Sequence, residues 1–253
     1  MSTENTQLFL AGDVYLDIFD ATYQPTGLIG PMNGELLSMQ PQSNRIDLPS
    51  KMRDTYGQVR NSVIIPQPAE IKLTLRDVPS EVLAAAFMGD VSAISEGAAT
   101  VTDEPVTARL GKWISLPNRN LDSGSVVVTD NTGNTVYSEG TDYEINYRMG
   151  LFRPLAGGSI SDGQPLLVDY TASAVNGERI HAVTRSQIKA RILLDGVNMA
   201  DNNRQVHAEI YRATLAPDQA LDLLAEQHVT VSFTGTMETP AGKTLPAHLD
   251  YLD

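Results

Sequence analysis

Glu70-Ile71-Lys72-Leu73-Thr74-Leu75-Arg76 decides how this chain reads. Ile71, Leu73 and Leu75 face one way, and Lys72, Thr74 and Arg76 face the other. A period of two marks a strand with one dry face and one wet face. Pro79-Ser80-Glu81-Val82-Leu83 comes next and predicts a helix over 79–88. Proline suits the first turn because its φ is already helical and its missing N–H is not needed there. Gly89 is the expected stop. The same arrangement returns near the C-terminus. Val206, Ala208 and Ile210 alternate with His207, Glu209 and Tyr211, and Pro217-Asp218-Gln219-Ala220-Leu221 predicts a second helix over 217–226.

Working outward, Val14, Leu16 and Ile18 alternate with Tyr15, Asp17 and Phe19, behind a polar N-terminal arm over 1–11. A strand is expected around Glu35–Met39. Ile188, Ala190, Ile192 and Leu194 alternate with Lys189, Arg191 and Leu193. They should pair with 205–213 as a long hairpin across a turn-rich connection, 195–203. Val229, Val231 and Phe233 against Thr230, Ser232 and Thr234 give a closing strand before a tail over 239–253. Residues 40–68 carry Pro41, Pro49, Pro66 and Pro68 together with Arg45, Lys51, Arg53 and Arg60, and read as a long loop. Loops of that length usually carry function.

The stretch 110–172 has a different texture. Short strands at Lys112–Leu116, Ser125–Asp130, Thr135–Tyr137, Tyr143–Tyr147, Leu151–Arg153 and Pro165–Tyr170 alternate with turn signals such as Asn131-Thr132-Gly133-Asn134. It reads as a small inserted β module with the sole tryptophan, Trp113, as a core anchor. The expected division is therefore a discontinuous core, 1–109 and 173–253, around an insertion at 110–172. The fold class is mainly β: a two-sheet β-sandwich or barrel-like core with one or two short helices.

Composition narrows the function. The 253 residues are 42% hydrophobic, enough for a real core. A formal charge of −13 argues against a duplex-binding surface and suits one that DNA slides past. Without cysteine there are no disulfides, thiolate nucleophiles or Cys-based zinc sites. The first residues lack the basic and apolar regions of a signal peptide, and no apolar run is long enough to span a bilayer, so synthesis in a cytoplasm is expected.

No chemistry-bearing motif emerges. His181, His207, His228 and His248 show no metal-ligand spacing, and no metal or cofactor is expected. Asp195, Asn198, Asp201 and Asn202 miss the EF-hand pattern and read as turn formers. Asp77, Glu81, Glu96, Asp103 and Glu104 lie among Ser, Gly and Pro, where solvated loops are the default, so no acid–base pair is assigned. The chain reads as a non-enzyme. The remaining signal is the set of wet strand faces: Lys72, Thr74, Arg76, Lys189, Arg191, His207, Glu209, Thr230, Ser232 and Thr234.

This layout resembles a bacteriophage tail tube protein, the major tail protein of long-tailed phages. The resemblance is carried by Gly12-Asp13-Val14-Tyr15-Leu16-Asp17, the long loop and Glu70–Leu75 with its helix. The hairpin of Ile188–Leu194 with Val206–Tyr211, the 217–226 segment and the closing strand complete it. It implies two packed sheets with a flanking helix, and homo-hexameric rings stacked into a tube that conducts DNA at ejection. It also implies a place in the virion tail after assembly in a host cytoplasm. Tape-measure and tail-terminator proteins would be partners, DNA would pass without specific binding, and no membrane would be involved. On this reading the ten wet-face residues line the lumen. Arg45, Lys51, Arg53 and Arg60 help the long loop dock on a neighbour, and core strands are completed edge to edge by other copies. The alternative from another class is a two-domain β module binding carbohydrate or cell surfaces through 110–172. A secreted hydrolase is disfavoured by the missing leader and catalytic constellation.

Overall fold

A computed structural model describes residues 7–252; positions 1–6 of the expected N-terminal arm and Asp253 of the tail lie outside the described residues. The chain runs β1 (Leu10–Ile18), β2 (Ile29–Pro49), β3 (Val59–Leu75), α1 (Ser80–Ala86), β4 (Asp90–Glu96), β5 (Ala99–Thr107), β6 (Ile114–Ser115), β7 (Val127–Asp130), β8 (Val136–Tyr137), β9 (Tyr143–Asn146), β10 (Leu151–Pro154), β11 (Pro165–Ala172), β12 (Val175–His181), β13 (Ile188–Asn198), β14 (Arg204–Pro217), β15 (Val231–Met237) and β16 (Ala247–Leu252). It is mainly β, with several sheets and a single described helix.

Two units divide the chain: one through Ser92 and again from Ile180, the other Ala93–Arg179. In the first, six strands close on themselves in the order β13-β1-β2-β3-β15-β14, and β14 pairs back with β13. Every pairing is antiparallel. The dry faces read from sequence fill the interior: Leu16, Ile71, Leu73, Leu75, Ile188, Ile192, Ile210, Leu215 and Phe233 are all essentially inaccessible. Burying each such side chain contributes about 1.5–3 kcal/mol. Closure satisfies the edges of these strands within one chain. The expectation that core strands are incomplete until another copy joins is therefore corrected. β14 is long enough to serve two neighbours on one side, β15 along Ala213–Pro217 and β16 along Gln205–Ile210.

Within α1, Val82 and Ala85 join the barrel core. Pro79, expected in the first turn, stands one residue before the helix as its N-cap, with an extended ψ of 164°. Its end differs from expectation: Met88 takes the left-handed conformation (φ 50°), not Gly89. Gly89 is needed for room, because a Cβ there would lie 1.8 Å from the His181 carbonyl oxygen.

The helix expected over 217–226 is absent. β14 continues through Pro217, which pairs with Phe233. Ala213 and Leu215 are already fixed inward by the period of two, so the strand carries on. Beyond Pro217 only Leu221 packs against the barrel core among the leucines of this segment, while Leu223 is 69% exposed and Leu224 92%. A helix that short needs a buried apolar face to form. The turn-rich connection also shrinks, since β13 runs to Asn198. Buried Asn198 accepts hydrogen bonds from the Phe9 and Ala200 amides (3.0 and 3.2 Å) and donates to the Gln7 carbonyl (3.0 Å), which accounts for it without a cation.

The second unit begins earlier and ends later than the expected 110–172. β5 pairs with β11 from Ala99↔Ala172 to Pro165↔Thr107, so residues 93–109 and 173–179 belong with the insertion. The two sheets of this unit, β5-β11-β7-β8 and β6-β10-β9, share a core that includes Val128, Phe152, Leu166, Val168 and Tyr170. Trp113 is no core anchor. It is 44% exposed, with the Arg153 guanidinium 4.7 Å above its ring. β4 and β12 pair with each other.

Candidate self-assembly surface

Residues 40–68, expected as a loop, are mostly a two-stranded ribbon. β2 and β3 stay paired from Gln42↔Gln67 to Leu48↔Asn61 and close at Pro49↔Val59. Eight residues at about 3.3 Å each carry the ribbon roughly 25 Å along. Directly paired residues share a face, so the register defines two sides. One carries four aliphatic side chains and two amides: Ile46 opposite Val63, Leu48 opposite Asn61 and Ile65 opposite Asn44. The other is mainly polar, with Arg45 opposite Ile64 and Asp47 opposite Ser62; Ile64 is 64% exposed. Ile46, Val63, Leu48 and Ile65 are 53%, 54%, 60% and 42% exposed in that order, and no described segment covers them. Pro49 and Pro66 sit within the ladder and Pro41 and Pro68 beside it, removing backbone donors and blunting the ribbon as a template for strand addition. Its face is better suited to docking than its edges.

The four basic residues of this segment separate. Arg45 donates to Asp47 Oδ1 (2.6 Å), which also accepts from the Ser62 hydroxyl; these bonds hold the Asp47 carboxyl below its ordinary range. Arg53 pairs with neighbouring Asp54 (3.3 Å) at the tip. Lys51 and Arg60 are exposed, and neither pairs with an acid among the described residues.

All ten wet-face residues lie off the barrel interior, exposed or half-buried. Nine sit on or at the end of four consecutive strands, β3, β15, β14 and β13; Thr230 precedes β15. Thr74 and Ser232 are opposite each other, with hydroxyls 2.9 Å apart, and Lys72 faces Thr234. Arg76 reaches Glu35 (3.2 Å). Lys189 donates to both oxygens of Glu238 (3.0 and 3.1 Å), and Arg191 donates to Glu209 Oε1 (2.6 Å). Partial burial alone would raise the Glu238 carboxyl. Hydrogen bonds from Thr214 and Lys189, with the Lys189 and Arg212 charges, outweigh that and leave it below its ordinary value. Much of the basic character of this wall is thus neutralised within the chain.

The β14–β16 ladder adds a grouping that sequence spacing conceals. His207 stands opposite Asp250 and Glu209 opposite His248, all four on one face. His248 Nε2 lies 3.4 Å from Asp250 Oδ2 and 3.8 Å from Glu209 Oε2; His207 Nδ1 lies 4.0 Å from Asp250 Oδ2. By contrast, Asp77 Oδ2 serves the Asn33 amide (2.7 Å), a structural duty. No helix among the described residues is long and apolar enough to cross a membrane.

No curated protein matches the chain. A family model does match, over residues 7–248, which takes in nearly all of both units. The chain belongs to the family described as protein of unknown function UCP028589.

Proposed function

We propose that this chain is a structural subunit of the tail-tube kind, assembling with copies of itself into stacked hexameric rings that conduct DNA in a phage tail. It acts by geometry and not by catalysis. The observation that carries this reading is the ribbon of β2 and β3, with Ile46, Leu48, Val63 and Ile65 gathered on one uncovered face. An isolated two-stranded ribbon is marginal in water. Covering four half-exposed aliphatic side chains on a second copy contributes roughly 3–6 kcal/mol before ordering costs. The barrel presents a polar wall on four neighbouring strands, a surface across which DNA moves without being held.

Charge opposes assembly and salt relieves it. Six copies at −13 each carry −78. Surface repulsion of that kind is screened over about 8 Å at physiological ionic strength. Lys51 and Arg60 offer positive charge to an acidic neighbour. Tape-measure and terminator proteins are the partners this reading implies, and the virion tail is its location.

Negative-stain electron microscopy of the purified chain over a range of salt and protein concentrations tests the reading. Rings or tubes, favoured by salt, are the expected result; a strictly monomeric particle throughout overturns it. The competing view of the second unit as a glycan reader would use Trp113 as a stacking platform, but one face of that ring already carries Arg153.

A further inference from the structure

We propose that His207, His248 and Asp250 form a binding site for a divalent transition metal ion of the zinc type, on the outer face of the β14–β16 ladder. One donor atom from each of these residues lies within 4.8 Å of the other two. Tetrahedral zinc, with bonds of about 2.0–2.1 Å to imidazole nitrogen and carboxylate oxygen, sets its ligand atoms about 3.3 Å apart. His248 Nε2 and Asp250 Oδ2 are already at 3.4 Å, and His207 Nδ1 lies 4.0 Å from the same oxygen, so binding would draw it inward. Two imidazoles and a carboxylate suit zinc, copper or nickel in preference to calcium or magnesium, which take all-oxygen shells.

The surroundings favour this assignment. Asp250 Oδ2 is shared between the two rings, whose centroids are 5.8 Å apart. Glu209 adds a second negative charge beside His248. Its Oε1 is held by Arg191 while Oε2 remains directed at the ring. Three protein donors leave the fourth position to water.

A metal here would tie down β16. Among the described residues this strand pairs with β14 alone, so its other edge is open there. A bond network from His207 on β14 to His248 and Asp250 on β16 staples the C-terminal strand to the barrel. The site uses only residues of one chain and is independent of whether copies assemble.

Zinc titration into tag-free, chelator-treated full-length protein, followed by calorimetry, tests the proposal. One zinc ion per chain is expected. His207→Ala, His248→Ala and Asp250→Asn should each weaken binding at least about tenfold. The paired change His181→Ala and His228→Ala should leave binding unchanged. Circular dichroism checks that each variant is folded, and exposed Asp250 provides a change that the fold tolerates. Amide exchange gives a second readout: zinc should slow exchange in Ala247–Leu252 and leave β1 unaltered. Cobalt substituted for zinc should give the visible absorption of a tetrahedral site. Absence of zinc binding overturns the proposal. So does binding that survives the three site variants, or binding that is lost with His181 and His228.

Discussion

Ile46 stands directly opposite Val63 in the ribbon of β2 and β3, and each leaves more than half of its surface in water. An aliphatic pair in direct register would ordinarily face a core. Here it faces outward, and a role in assembly gives it something to cover.

Ile46→Lys together with Val63→Lys should abolish rings or tubes while shifting the melting temperature little, because neither side chain contributes to the barrel core. The expected stability change is within about 0.5–1 kcal/mol. Electron microscopy and thermal melting of the same preparation check this. Undiminished assembly would remove the apolar face as the docking element.

Replacing Arg45, Lys51, Arg53 and Arg60 together with Ala should impair assembly, most at low salt. The chain would become more acidic and the ribbon would lose Lys51 and Arg60, the two cations with no acid beside them. Arg45 and Arg53, already paired with Asp47 and Asp54, should account for less of the effect than Lys51 and Arg60. Tubes of normal length from the fourfold variant would refute the charge argument.

Glu238 ties Lys189, Arg212 and Thr214 together across the β13, β14 and β15 region. Its carboxyl sits below the ordinary glutamate value of 4.5 in the folded chain, so it binds protons more readily unfolded. Its contribution is present in full above pH about 4.5 and is lost as pH falls from there through the folded value. Glu238→Gln should cost about 1–3 kcal/mol at neutral pH, and less below pH about 4. Denaturant melts at pH about 7 and about 3.5 measure the difference. An equal cost at both would mean that the charge is not what matters.

Gly89→Ala should destabilise the chain by roughly 2–3 kcal/mol, since the backbone carbonyl it would strike cannot rotate away. Gly97→Ala is the control: nothing lies within 4 Å of its would-be Cβ, and its melting temperature should stay close to that of the parent. Thermal unfolding of the pair distinguishes close approach from a general cost of losing glycine.

Strand faces were legible in the chain because a period of two survives wherever one side meets a core: Ile71, Leu73 and Leu75, or Ile188, Ala190 and Ile192, need no partner to be named. Pro79 announced α1 for an equally local reason. The 217–226 segment misled because its leucines match a helical face. Whether a face is buried is a property of the neighbours, and here only Leu221 of its leucines meets the core. The ribbon was hidden by its prolines, which break the alternation of Ile46 with Leu48 and of Val63 with Ile65 before it can be recognised. His207 and His248 share no local spacing at all. Only the register of β14 with β16 sets them side by side, and register is fixed by which strands a closed barrel makes neighbours. Local sequence thus determined which side of each strand is dry. Closure of the barrel, which satisfies backbone hydrogen bonds between distant segments, decided which polar residues meet.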